Sequence, residues 1–152
     1  MIKILYFSVN EWGNMGRRKP RLAYEFSQRP EVASLLYVEP PVTTSLLDLA
    51  RGRLRSKHLA PSRSAHLRAL LGQPRRVEGK IWIYTGSTKS LPLTRFQAIR
   101  QWAGLRGLNE SLYYANIRRV LRRLPGERLI VWLSHPLHAD ALDAFPGRTL
   151  AC

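Results

Sequence analysis

Ile2, Ile4, Leu5, Tyr6, Phe7 and Val9 make a near-continuous apolar run at the start of the chain. A run this short, with little polar alternation, predicts a strand buried on both faces, as in a parallel sheet covered by helices. Asn10, Gly13, Asn14 and Gly16 interrupt it as a turn, and residues 18–28 follow with helical spacing. Pro20 fits that helix only in its first turn, where a missing N–H costs no hydrogen bond. Leu22, Phe26 and Ala23 supply the predicted inward stripe, Arg29 and Pro30 stop the helix, and Leu35 to Val38 reads as a second buried strand ended by Pro40 and Pro41. Strand, glycine-bearing loop, helix and strand within about 40 residues form a βαβ unit. The predicted class is therefore α/β, with the first two strands parallel.

Further on, Ser45 is placed to cap a short helix carrying Leu46, Leu47, Leu49 and Leu54. Residues 51–76 then hold eight basic residues and no acidic one, and read either as a basic loop or as a frayed amphipathic helix around Leu67, Leu70 and Leu71. Ile81 to Thr85 restores a strand. Phe96, Ile99 and Trp102 fit one helical face, and Leu112, Tyr113, Ile117, Val120, Leu121 and Leu124 fit another behind Asn109 as its cap. Leu129 to Leu133 predicts a strand, Leu137, Ala141, Leu142 and Phe145 a short helix, and Thr149 to Ala151 the opening of another strand. No internal repeat is visible, and 152 residues suit a single domain with its own core.

Charge changes this picture: 25 Lys and Arg against 10 Asp and Glu give a net charge of +15. Nucleic acid, an anionic membrane surface or phosphorylated small molecules all suit such a field, and a bias toward arginine codons accounts for the excess equally well. The basic stretch lacks the interleaved aromatics that single-stranded nucleic acid stacks on. At an anionic leaflet each Lys or Arg near the surface gains roughly 1 kcal/mol. No apolar run reaches the roughly 20 residues of a membrane span, and no cleavage pattern follows the first strand, so a cytoplasmic chain is expected. Cys152 is the sole cysteine, which excludes an internal disulfide and a thiolate metal cage.

The loop after the first strand is where an open α/β sheet places its ligand. Gly13 and Gly16 either bring backbone N–H groups up to an anion, with Arg17, Arg18 and Lys19 adding charge, or serve only the turn. Gly-x-x-Gly is neither the three-glycine dinucleotide fingerprint nor a phosphate loop followed by Lys and Ser or Thr. Glu39, at the end of the second strand, reads either as the carboxylate that holds a ribose hydroxyl in a dinucleotide fold or as a plain strand-end carboxylate paired with an arginine; without the third glycine the second reading is favoured. His135 and His138 fit one helical turn after the strand ending at Leu133, but lack the third ligand a metal needs. His135-Pro136 at a strand's carboxyl end faces the same rim, either as a site residue or as a solvated histidine.

Trp12, Arg17, Arg18, the segment Leu36-Tyr37-Val38-Glu39-Pro40-Pro41 and the later Val131-Trp132-Leu133-Ser134-His135-Pro136 together resemble the N-terminal half of GT-B glycosyltransferases related to teichuronic acid biosynthesis enzymes. The resemblance covers both ends of the chain and leaves residues 43–80 unmatched. It implies a Rossmann-like parallel sheet flanked by helices that holds the acceptor, with a separate donor domain beyond Cys152. On that expectation the chain alone is an incomplete catalyst. The resemblance further implies a nucleotide sugar as donor, a glycan or lipid-linked acceptor at the inner face of a membrane, and neither cofactor nor metal. Trp12, Gly13, Gly16, Arg17, Arg18 and His135 would line the cleft, with Trp12 stacking on a sugar ring. The rival expectation is a non-enzymatic basic module that binds nucleic acid.

Overall fold

The computed structural model describes residues 1–13, 17–42, 49–51, 63–87, 107–145 and 148–151. In chain order the elements are β1 (Ile2–Phe7), α1 (Arg18–Ser27), β2 (Val32–Val38), α2 (Arg63–Leu71), β3 (Arg75–Glu78), β4 (Ile81–Tyr84), α3 (Leu108–Arg123), β5 (Arg128–Leu133), a 3-10 turn (Pro136–His138), α4 (Ala141–Ala144) and β6 (Arg148–Ala151). Two compact units result: Met1–Pro40 with Pro74–Tyr84 and Arg119–Cys152, and Pro41–Gln73 with Thr85–Arg118.

The first unit is built on a six-stranded sheet of order β3-β4-β2-β1-β5-β6. β4, β2, β1, β5 and β6 are mutually parallel, and β3 pairs antiparallel with β4 at the edge. Numbered among themselves, the parallel strands run third, second, first, fourth, fifth, which is the order of a doubly wound, Rossmann-like sheet. The central position of β1 explains its uninterrupted apolar sequence: Leu5, Tyr6 and Phe7 are all buried although successive side chains point to opposite faces.

One face carries an aromatic row set by strand register. Tyr6 lies opposite Tyr37 on β2 and Trp132 on β5, with ring centroids 5.4 and 6.3 Å away and nearly parallel planes. Phe26 of α1 meets Trp132 edge-on at 4.7 Å. Against so bulky a surface α1 buries Pro20, Ala23 and Ser27, because small residues let the helix backbone approach where the sheet side is large. Of the predicted stripe, Ala23 is buried, Phe26 packs against the aromatic row, and Leu22 is partly buried as Phe26 is. Pro20 occupies the first turn, as its chemistry requires.

Lys3 is the polar exception inside β1, and its ammonium donates to the Leu121 and Leu124 carbonyls, both at 3.1 Å. A cation there adds a donor to carbonyls at the end of α3 and complements its dipole. Gly126 follows with φ +121, and a Cβ on it would lie 2.9 Å from the Lys3 backbone nitrogen; only glycine passes so close to β1.

Two assignments change at the charged elements. Arg75 and Arg76 belong to β3 and not to a basic loop, because β4 supplies a pairing partner; the Arg76 guanidinium sits 5.8 Å over Trp82 and donates to the Gly79 carbonyl. Asn109 lies inside α3, which begins at Leu108, so it is not the residue preceding the helix. In the second unit residues 63–71 take the helical alternative as α2. That helix ends in a Schellman turn, with Gln73 N–H donating to the Arg68 carbonyl and Gly72 at φ +61 packed on Asn116. The helices expected after Ser45 and around Phe96 to Trp102 lie mostly or wholly outside the described residues. No helix among the described residues is long and apolar enough to cross a membrane.

Candidate functional site

Chain order reverses direction across the sheet between β1 and β5, and at such a switch point the crossovers leave a crevice beyond the carboxyl ends of the strands. β1 delivers Ser8 and Asn10 there, β2 delivers Glu39, β5 delivers Ser134 and His135, and the first turn of α1 stands above.

The loop after β1 is held from β2 at two points. Glu39, only 7% exposed, accepts the Trp12 backbone N–H on Oε1 at 2.8 Å. Tyr37 places its phenol oxygen 2.9 Å from the Asn10 carbonyl and 2.7 Å from Ser8 Oγ. A phenol has one proton and a carbonyl can only accept, so that proton goes to Asn10 and the Ser8 hydroxyl donates to the phenol in turn. Ser8 Oγ also accepts the Asn10 N–H at 3.0 Å. Burial pushes the Tyr37 phenol up, ahead of smaller effects from Ser8, Tyr6 and Glu39, so it remains a donor throughout the physiological range.

The start of α1 is electrostatically unusual. Arg17 at the N-cap makes no capping bond with its side chain, no acidic residue stands in the first turn, and Arg18 and Lys19 add positive charge where the helix dipole is already positive. An anion relieves this repulsion. Arg17 is exposed and donates to Asn10 Oδ1 at 3.2 Å. Arg18 is exposed. Lys19 reaches across to the end of β5 and donates to the Ser134 carbonyl at 2.8 Å, tying helix and switch point together.

Trp12 is a core residue, 7% exposed and edge-on to Tyr37 at 5.1 Å. A ring so enclosed has no free face for a sugar, so stacking gives way to a packing role that anchors the loop. Gly13 is exposed, and a Cβ there would meet nothing within 4 Å; packing does not demand glycine at this position. Gly16 lies outside the described residues. His135 follows β5, half-buried, and its carbonyl accepts the His138 N–H at 3.1 Å. Among the described residues no three His, Cys, Asp or Glu side chains converge as a metal ion needs. Asn10, Tyr37 and Ser134 were not read as site residues; a polar residue just beyond a buried strand is the signal that would have found Asn10 and Ser134.

His138 rests against Phe7, with ring centroids 5.5 Å apart. Burial holds its imidazole below the usual value of 6.5; a hydrogen bond to the Ser8 backbone opposes this, and the nearby charges of His135 and Lys19 reinforce it. His66, buried in the second unit, is lowered by burial as well. Such groups bind protons more readily unfolded than folded, so the stability they support is present above about pH 6.5 and is lost as pH falls toward their folded values. The urea midpoint is expected to drop across that window, and His138→Leu to flatten part of the slope; an unchanged slope would show that His138 titrates normally.

Comparison of the chain with protein-family models, curated proteins and solved structures finds no match.

Proposed function

We propose that this chain is the acceptor-side, Rossmann-like domain of a GT-B glycosyltransferase, and that its switch point receives the phosphate of a nucleotide-sugar donor or of a lipid-linked acceptor. The observation that carries the reading is the uncapped, basic N-terminus of α1 at the carboxyl ends of β1 and β5. In sheets of this order that position is where anionic ligands bind. Further support comes from the segments that carry the family resemblance. Trp12 lies 27 positions before Glu39 yet joins Glu39 and Tyr37 in one cluster, and that cluster holds the loop after β1. The net charge of +15 accords with an acceptor at an anionic leaflet. In this role Arg17 and Arg18 neutralise phosphate, and Lys19 keeps α1 close to β5. Fold alone carries no function, so the reading stands on the site and the resemblance.

Calorimetric titration with pyrophosphate, with an isoprenoid diphosphate-linked sugar and with a short DNA duplex tests it. Saturable binding of the lipid-linked sugar, tighter than pyrophosphate, is the expected result. Equal affinity for both would leave an anion site without glycan recognition and overturn the transferase reading. DNA binding that falls steeply with salt, with no phosphate-ligand binding, would favour the nucleic-acid module.

A further inference from the structure

Tyr37 and Glu39 are buried, 0% and 7% exposed, so neither presents its polar atoms to a ligand approaching the loop. Both are nonetheless committed to that loop through short hydrogen bonds. Asn10 stands between them and the charge: its carbonyl is held by Tyr37, and its side-chain Oδ1 receives the Arg17 guanidinium. Displacing Asn10 therefore moves Arg17. The bond from Trp12 N–H to Glu39 fixes the loop two residues further on, and the indole against the Tyr37 ring joins the two anchors.

We infer that Tyr37 and Glu39 are positioning residues for phosphate binding: from the end of β2 they fix the loop at Asn10 and Trp12 and so set where Arg17, at the start of α1, meets the anion. This rests on the anion-site reading above and adds the residues that preorganise it. Preorganised donors lose less freedom when the ligand arrives, which is why anchors that never touch the ligand raise its affinity. Glu39 acts here as an acceptor for backbone and not as the ribose-binding carboxylate that the end of this strand supplies in dinucleotide folds.

The test is pyrophosphate titration of the full chain and its variants at constant salt. Tyr37→Phe keeps the ring but removes both hydroxyl bonds, and should weaken binding about three- to tenfold. Glu39→Ala should weaken it by a similar factor, whereas Glu39→Gln, which retains an acceptor for Trp12 N–H, should stay within about twofold of the parent. In an Arg17→Ala background Tyr37→Phe should cost clearly less than in the parent, because its effect travels through Asn10 to that guanidinium. A merely structural loss would not show this coupling or the rescue by glutamine. If Glu39→Ala fails to fold, Tyr37→Phe, Glu39→Gln and the double-mutant cycle decide the matter. Parent-like binding by Tyr37→Phe, or losses from Tyr37→Phe and Arg17→Ala that simply add, would overturn the positioning role and leave the anion site standing. Absence of pyrophosphate binding by the parent chain would remove the site itself, and the positioning role with it.

Discussion

Tyr6→Ala is expected to lower the unfolding free energy of the chain by about 3–5 kcal/mol, the range for truncating a large buried aromatic. Tyr6 is fully buried on the central strand, and its ring is flanked by Tyr37 and Trp132 in the same register row. Alanine leaves a gap that rigid neighbouring strands cannot close, and it removes aromatic contacts on both sides. At about 2–4 °C per kcal/mol for a chain of this length, the melting temperature should fall by roughly 6–20 °C. Leu67→Ala, at a residue 43% exposed, is the control and should change stability by less than about 1 kcal/mol. A loss below about 1 kcal/mol for Tyr6→Ala would mean that the aromatic row is not the centre of the core.

The largest expected effect on binding belongs to the pair Arg17→Ala and Arg18→Ala. Charge-assisted hydrogen bonds contribute about 1.5–3 kcal/mol each, so removing both cations should weaken pyrophosphate binding by roughly a hundredfold or more. Net charge alone would also weaken an anion's binding, and the control must separate the two causes. Arg29 and Arg128 are suited to this: Arg128 begins β5 and Arg29 lies just beyond α1, at the opposite end of the sheet from the switch point. Replacing them by alanine removes the same charge at a distance where salt screens the field, and should change affinity by no more than about twofold. Equal losses from both pairs would mean that a diffuse field, and no built site, attracts the anion.

The strands and the position of the loop were largely legible in the chain. β1, β2 and β5 show themselves as apolar runs because parallel strands in the middle of a covered sheet bury both faces. α1 is legible from its proline and the glycines before it. β3 was not, since Arg75 to Glu78 is charged and wholly exposed; it is a strand only because β4 offers it hydrogen bonds. On α1 the helical period shows Ala23 and Phe26, but not the burial of Pro20 and Ser27, which no apolar pattern marks.

The site divides along the same line. The place of Arg17 and Arg18 at the start of α1 was legible, because clustered cations after a buried strand and its turn are a local signal. The burial of Trp12 was not, because an indole beside a loop reads the same whether it faces solvent or Tyr37. The bonds from Glu39 to Trp12, from Tyr37 to Asn10 and from Lys19 to Ser134 join residues 27 to 115 positions apart, and no local pattern records such partners. The sequence by itself determined the α/β class, the parallel pairing of the first two strands and the basic loop that follows β1, because each depends on neighbours along the chain. Only the tertiary structure decided the strand order that makes a switch point, the packing of Trp12 and the anchors on the loop, because those depend on which distant segments the sheet brings side by side.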